Sequence, residues 1–394
     1  MLVLTDEDVH TLLSSLNRSQ IVKFMDSLAR ALTDTSMVQP PRQLIPNPEP
    51  SSLSTFIMPA FLPSGSSIKI CALDSSEGST NTSPKGSLLL FKPDGSLDAV
   101  LNAAEVTGFR TALASMIPFV LRFLPELVSD KYNKAHPTSL PPPLVPSQVV
   151  VFGAGLQAEW AVKLLLALCS PSDTAGRLLD KITIVNRTLS RADSLISKVR
   201  SWYKRSSTNL PIRPALPTFE CYELNELNAV ELEHLVAAAD AIFCCTPAQK
   251  PLFPAAYLLT DEAQKQTRYV SAIGSYTPEM REVDPQLLEP SPFHFGQEII
   301  VDSKDSCLLE AGELIAAQHL ERLRNRPALS MWEVGKVWEA AIRNKDDWRV
   351  RMMRNVLYKS VGTGAMDLAI GKCLIRLARE LPFESKVGIE MKDF

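Results

Sequence analysis

The sequence predicts an α/β chain of two parts: a parallel sheet flanked by helices and, before it, a smaller α+β region. Three observations carry that prediction. After residue 147, short apolar runs without alternation recur between helical stretches, as a parallel sheet covered on both faces requires. Before residue 102, strand-like runs follow one another with KPDG (92–95) as a turn signal, the pattern of an antiparallel sheet. Between the two parts lies HPTSLPPPLVPS (136–147), too rich in proline for a regular element and read as a linker.

The elements follow in order. The first forty residues read as helical: Thr5 and Asp8 can cap one helix, and Ser19–Leu32 carries an apolar stripe at Ile21, Phe24, Met25 and Leu28. Residues 39–50 are extended or turning because of their prolines. Strands are expected at Thr55–Met58, Ile68–Leu73, Ser87–Phe91 and Leu97–Leu101, then a helix over Thr107–Leu124. Past the linker, strands are expected at Gln148–Phe152, Lys181–Asn186, Phe219–Glu223, Asp240–Cys245, Arg268–Ile273 and Glu298–Asp302. A helix over Gln157–Cys169 follows the first of these, and the last ninety residues read as mainly helical.

Composition narrows the function classes. The 41 basic and 44 acidic residues of this 394-residue chain leave a net charge of −3, which argues against a protein built to hold nucleic acid. The seven cysteines are odd in number and lack CxxC spacing, which reads as reduced thiols in a cytoplasmic protein. Five histidines without a paired motif make a bound metal unexpected. No apolar stretch has the length of a membrane span, and neither terminus reads as a signal peptide or a peroxisomal address.

The motif with most chemistry is VVVFGAGLQAEWAVKLLLAL (149–168). It is a strand, a G-x-G-x-x-A turn and a helix, the context that turns a weak glycine pattern into a Rossmann dinucleotide site. Gly153 permits the tight turn, Gly155 lets backbone approach a pyrophosphate, and Ala158 lets helix pack on strand. Ala154, Leu156 and Gln157 complete the turn whose free N–H groups and helix dipole favour an anion. The second strand ends in Asn186-Arg187-Thr188, with Arg191 one turn on. No acid stands there to bind a ribose 2′-hydroxyl, whereas two guanidinium groups suit a 2′-phosphate, so NADPH/NADP+ is preferred over NAD. Cys245 and Thr246 in CCTPAQKPLF (244–253), and the turn IGSYTPEMREVD (273–284), follow later strands and suit the same cofactor.

Three cations stand out in the first part: Arg42 before a strand, Lys69 within an apolar run, and Arg110 in the first turn of a helix. A charge at these places is costly without a partner. An anionic substrate group would satisfy all three, though each taken singly is equally read as a structural salt bridge.

The motifs TGFRTALAS, VVVFGAGLQAEWA, ITIVNRT, CCTP, IGSYTPEMREVD, IIVDS and YKSVGTGAMDLAIGK, in that order, resemble the ornithine cyclodeaminase/mu-crystallin family over nearly the whole chain. The resemblance implies a Rossmann NADP-binding domain (145–330) inserted into an α+β substrate and dimerisation domain made of residues 1–130 and 345–394, and a homodimer. It implies that Arg42, Lys69 and Arg110 hold the substrate carboxylate beside the nicotinamide. By the same resemblance Gly153, Gly155, Gln157, Asn186, Arg187, Thr188 and Arg191 form the nucleotide site, and Thr246, Ser360, Val361 and Gly362 approach the cofactor. Ornithine cyclodeaminases carry an aspartate soon after the strand-end glycine of the 273–284 segment. Here Gly274-Ser275-Tyr276-Thr277-Pro278 has no acid, which is more similar to the NADPH-binding ketimine reductase branch.

The reading that follows is an NADPH-dependent reductase of a C=N bond next to a carboxylate, with Lys69 as proton donor if burial and neighbouring cations lower its pKa. The small carboxylate-bearing imine or amino acid is the expected partner, with no nucleic acid and no membrane. The alternatives are a redox-neutral cyclodeaminase, an amino acid dehydrogenase, and a non-catalytic NADPH or small-ligand binder. The stretch DSSEGSTNTSPKG (74–86) reads as a loop or lid.

Overall fold

The computed structural model describes residues 1–48, 53–74, 85–128, 146–169, 179–206, 215–289, 294–296, 298–323, 329–343, 348–382 and 386–391. Most of the expected 74–86 loop and of the 136–147 linker lie outside the described residues. The chain divides into two compact units. One comprises Met1–Thr111 and Gly362–Phe394, the other Ala112–Val361.

The first unit is a seven-stranded sheet covered on one face by helices. Its order is β15-β1-β6-β5-β4-β3-β2. The strands are β1 (Leu2–Leu4), β2 (Gln43–Pro46), β3 (Leu53–Leu62), β4 (Gly65–Asp74), β5 (Lys85–Phe91), β6 (Leu97–Asn102) and β15 (Ile389–Glu390). β1 corrects the helical reading of the chain start: Leu2, Val3 and Leu4 pair in parallel with Ala99, Val100 and Leu101. Three apolar residues are too short to show a period, and their partner lies almost a hundred positions away.

Helix α1 (Asp6–Ser14) starts at a Thr5–Asp8 capping box, and α2 (Arg18–Thr33) at an Asn17–Gln20 box. Both boxes satisfy otherwise orphaned N–H groups at the helix start. Ile21, Phe24, Met25 and Leu28 are buried, as the stripe requires. The KPDG turn joins β5 to β6, with Gly95 at φ +86° and its N–H on the Lys92 carbonyl. Helix α11 (Gly364–Glu380) lies on the sheet against β3, β4 and β5. It comes close because Gly371 has no Cβ to meet Leu88 and Leu90. Period-two alternation sends Phe56, Met58 and Ala60 of β3, and Ser67, Lys69 and Cys71 of β4, to this inner face.

The second unit is a parallel sheet of eight strands in the order β13-β12-β14-β11-β10-β7-β8-β9. Its strands are β7 (Gln148–Phe152), β8 (Lys181–Asn186), β9 (Thr218–Glu223), β10 (Ala241–Cys244), β11 (Tyr269–Ala272), β12 (Ile299–Val301), β13 (Met331–Glu333) and β14 (Val356–Lys359). Apolar runs fill it without alternation: β7, β8, β10, β11, β12 and β14 are almost wholly buried. The flanking helices include α4 (Leu156–Cys169), α5 (Leu189–Ser206), α6 (Ala229–Ala238), α7 (Lys304–Glu310) and α8 (Gly312–Leu323). Counting from β7, the strands run 3-2-1-4-5, so the order reverses between β7 and β10. That reversal is where α/β sheets of this type open a ligand crevice at their carboxyl ends.

Two segments pack differently from the sequence reading. Val356–Lys359 is a strand between β11 and β12, not part of a helical tail of the first unit. Its four residues are too few to distinguish a buried strand from a helical turn by pattern. Helix α3 (Ala103–Phe123) passes from one unit to the other, and its second half belongs to the parallel-sheet unit, where Phe119 meets the rings of Phe243 and Tyr269.

Candidate active site

In the first unit, a buried charged cluster forms around Asp367. The Lys69 ammonium lies 2.8 Å from Asp367 Oδ2, and Arg110 Nε donates to Asp367 Oδ1 at 3.1 Å. Lys69 is 1 % exposed and Asp367 0 %. Lys69 also donates to Thr107 Oγ1 at 3.4 Å, and Arg110 Nη1 reaches the Met366 sulfur at 3.6 Å. Asp367 sits in the first turn of α11, where the helix dipole favours a carboxylate. Arg110 belongs to α3 and Lys69 to β4, so three separate elements converge.

Gly362, at φ +85°, brings its backbone against the Arg110 guanidinium. A Cβ there would stand 2.5 Å from Nη1. The Arg42 guanidinium lies 5.4 Å from the centre of the Phe56 ring, a cation–π contact on the same inner face. Arg42, Lys69, Arg110 and Asp367 all act electrostatically on Cys71, whose thiol is pushed up mainly by burial. All three sequence-predicted cations therefore lie around one side chain.

Two cations against one carboxylate leave the Lys69–Asp367–Arg110 triad with one surplus positive charge. Burial pushes the Lys69 ammonium down. Asp367 opposes that shift, and Arg110 adds to it. An amine lowered this way gives up its proton more readily than an exposed lysine.

In the second unit, the glycine turn is built as its sequence demands. Gly153 has φ +109° and its N–H bonds the Val185 carbonyl at 2.8 Å. A Cβ there would be 2.9 Å from the Cys245 carbonyl and 3.0 Å from Thr246 Cγ2, so the turn rests directly on the loop after β10. Ala158, in the first turn of α4, is fully buried, whereas the space beside Gly155 is open. Ala154, Leu156 and Gln157 are half-buried around the helix start. These features fit a dinucleotide: an open glycine, a helix N-terminus and a small third residue.

Asn186 closes the turn after β8 by donating from Nδ2 to the Thr188 carbonyl at 2.8 Å, and Arg187, Thr188 and Arg191 are exposed. The structure corrects one sequence inference here. A carboxylate does stand beside this turn: Glu223 of β9 pairs in register with Asn186 and accepts from the Leu189 N–H at 3.2 Å. It belongs to the neighbouring strand and so escapes a search along β8.

Cys245 and Thr246 open the loop after β10. The Thr246 hydroxyl is buried and has no hydrogen-bond partner among the described residues, which marks it as a group open to a ligand. The Ser360 hydroxyl donates to Asp302 Oδ2 at 2.6 Å, and Val361 packs into the apolar core.

The sequence reading missed a third feature. Glu282 is fully buried and its two oxygens accept from the N–H groups of Thr246 (2.8 Å), Gly274 (2.7 Å) and Ser275 (2.9 Å). Lys359, at the end of β14, pairs with Glu313 of α8 at 2.9 Å and donates to the Ser275 carbonyl at 2.8 Å. Ser275 Oγ in turn bonds Glu313. The available signal was Lys359, a charge at the end of an apolar run, whereas Glu282 stands among charged neighbours and gave none. Among the described residues, no group of His, Cys, Asp and Glu is arranged to hold a metal ion.

No model of a protein family matches the chain. An uncharacterized protein of Saccharomyces cerevisiae is 27% identical over 334 residues, covering 83% of this chain and 82% of that one. The ketimine reductase mu-crystallin of Mus musculus is 24% identical over 286 residues, covering 72% and 71%. Among solved structures, the Thermococcus litoralis Delta(1)-pyrroline-2-carboxylate reductase in complex with NADH and L-proline superposes with a TM-score of 0.68 at 16% identity, over 99% of this chain and all of that one. At that identity the likeness speaks for the fold, an α/β architecture with a Rossmann-type parallel sheet. The chain is also similar to relatives named cyclodeaminase, ketimine reductase mu-crystallin and Delta(1)-pyrroline-2-carboxylate reductase, names in keeping with its resemblance to the ornithine cyclodeaminase/mu-crystallin family.

Proposed function

We propose that the protein is an NADPH-dependent reductase of a C=N bond adjacent to a carboxylate, converting a cyclic ketimine or imino acid to the amino acid. The observation that carries this reading is the buried Lys69–Asp367–Arg110 triad, whose surplus positive charge calls for an anionic ligand group. Arg42, Lys69 and Arg110 bind the substrate carboxylate and so fix the orientation of the prochiral carbon. Relatives named as reductases of imine carboxylates support the substrate class.

The dinucleotide is held by Gly153, Ala154, Gly155, Leu156 and Gln157 at the helix start, with Cys245 and Thr246 from the neighbouring loop. Arg187 and Arg191, with Asn186 and Thr188, receive a 2′-phosphate, which favours NADPH over NADH. Glu223 works against that preference, but its charge is turned to the start of α5. When bound, NADPH supplies the hydride that the imine carbon accepts. Lys69 delivers the proton that the nitrogen requires, so that C=N becomes CH–NH with both atoms balanced. Its lowered pKa suits that role. Gly362 positions Arg110 by backbone contact.

The absence of an acid between Gly274 and Pro278 disfavours the cyclodeaminase reading. We also propose that the protein is a homodimer whose partner covers the outer face of the seven-stranded sheet. Ile57, Ile70, Pro59 and Ile68 pair across β3 and β4 on that face, and Phe61 and Ile70 are 41 % and 40 % exposed. Seven free thiols fit a cytoplasmic location.

The test is loss of NADPH absorbance on adding the protein to five- and six-membered cyclic ketimine carboxylates, with NADH alongside. Arg110→Ala is expected to lower kcat/KM by at least about a hundredfold, the scale of a lost buried charge-assisted contact. Equal turnover by that variant would refute the carboxylate clamp.

A further inference from the structure

Glu282 lies outside the groups assigned above to substrate and nucleotide. We propose that it is the positioning residue of the cofactor's nicotinamide side, holding the loops after β10 and β11 in the one arrangement that lets Thr246 meet the cofactor. This inference rests on reading the parallel-sheet unit as the nucleotide domain.

A carboxylate that served only to close one turn would take its hydrogen bonds from one loop. Glu282 takes one from Thr246, after β10, and two from Gly274 and Ser275, after β11. Those loops are in intimate contact: a Cβ on Gly274 would stand 2.2 Å from the Thr246 nitrogen. Thr246 in turn abuts Gly153, the residue on which the glycine turn depends. The chain of contacts from Glu282 to the phosphate-binding turn is thus two residues long. It ends at the strand-order reversal between β7 and β10, where a dinucleotide sits in folds of this type.

The buried Thr246 hydroxyl, without a partner among the described residues, is the second observation. A buried hydroxyl is ordinarily bonded, so a loop held firmly with one unmatched is shaped for something it does not itself contain. The cost of burying Glu282 points the same way. The groups facing it are Lys359 from β14, Glu313 from α8, and the Cys244 and Cys245 thiols at the end of β10. Burial, with the Glu313 charge adding to it, outweighs Lys359 and the Thr246 and Ser275 N–H donors and pushes the carboxyl up to about 7. An apolar residue of the same size would avoid that cost but would leave three N–H groups unpaired.

Taking up a proton relieves the cost of burying the charge, so the closed loops hold that proton more tightly than loops opened to solvent and are held more firmly as the pH falls through about 7. Loop exchange should therefore quicken, and NADH affinity weaken, as the pH rises through that range, with NADH chosen because it lacks the titrating 2′-phosphate.

The experiment compares wild type with Glu282→Gln by equilibrium NADPH and NADH fluorescence titration between pH 6 and 8.5. Amide hydrogen exchange of segments 245–248 and 273–276 is followed without ligand. The glutamine keeps the shape but turns a donor toward one of the N–H groups. The expected result is a 10- to 100-fold weaker Kd for either nucleotide, faster exchange in both segments, an unchanged KM for the imine, and loss of the neutral-range pH dependence seen with NADH. Wild-type Kd and exchange in the variant would overturn the proposal. If Glu282→Gln fails to fold, the wild-type protein decides alone: NADH affinity and loop exchange, corrected for intrinsic rate, that do not change between pH 6 and 8.5 overturn it. Failure of wild type to bind either nucleotide overturns the functional reading instead, while the exchange data still report whether Glu282 holds the loops.

Discussion

Replacing Asp367 by asparagine removes the only carboxylate that the Lys69 ammonium meets at ion-pair distance among the described contacts, and the one that receives Arg110 Nε. Both cations are almost completely buried, so water cannot replace the lost charge. Breaking a buried pair by deleting one partner costs about 3–5 kcal/mol, and here one deletion strands two cations. With a melting shift of about 2–4 °C per kcal/mol for a domain of this size, the unit should lose roughly 6–20 °C. Calorimetry and denaturant titration read this directly.

The same substitution has a kinetic signature that mere destabilisation lacks. Asp367 raises the pKa of Lys69, and burial and Arg110 lower it. Removing Asp367 therefore lowers the Lys69 pKa further. If Lys69 donates the proton, activity is lost as pH rises through that pKa, so the alkaline limb of kcat/KM must move to lower pH. A variant within about 1 kcal/mol of wild type, with an unmoved alkaline limb, would refute the view that Asp367 balances two buried cations.

Other expectations follow from the nucleotide unit. Arg187→Ala should weaken NADPH binding about 10- to 100-fold, equivalent to about 1.5–3 kcal/mol for a charge-assisted contact, and leave NADH binding unchanged. Isothermal titration of both nucleotides checks it. Gly153→Ala places a Cβ 2.9 Å from the Cys245 carbonyl at φ +109°, so it should cost about 1–3 kcal/mol of stability and weaken both nucleotides alike. For Glu282, the folded carboxyl stands near 7 against an ordinary 4.5. The folded state holds that proton more tightly, so the associated stability is present below about pH 4.5 and is lost as pH rises through 7. The difference in denaturation free energy between wild type and Glu282→Gln should change by about 3 kcal/mol across that window.

Much of the fold was legible because its signals are local. The Thr5–Asp8 box, the KPDG turn and the apolar run of β7 each declare themselves within a few residues. What was not legible is non-local. β1 and β14 are too short to carry a period, and each gains its conformation from strands far away in the chain. Asp367 was one acid in the apolar stretch GAMDLAIG, with nothing nearby to say that β4 and α3 bring cations to it. Glu223 reaches the turn after β8 from the next strand, and Glu282 serves loops that precede it by up to 36 positions. The cations were noticed because charge in an apolar run is conspicuous. Their counter-charge was not, because a helix tolerates one acid in its first turn.

The central claim is tested most directly by isotope transfer. The protein is incubated with a cyclic ketimine carboxylate and NADPH deuterated at nicotinamide C4, and the product amino acid is analysed by mass spectrometry. The account predicts one deuterium on the α-carbon, transferred from one face of the nicotinamide only, in an amount equal to the NADPH consumed. Formation of a cyclic amino acid and ammonium from ornithine with NAD+, with no NADPH consumed by any ketimine, would contradict it.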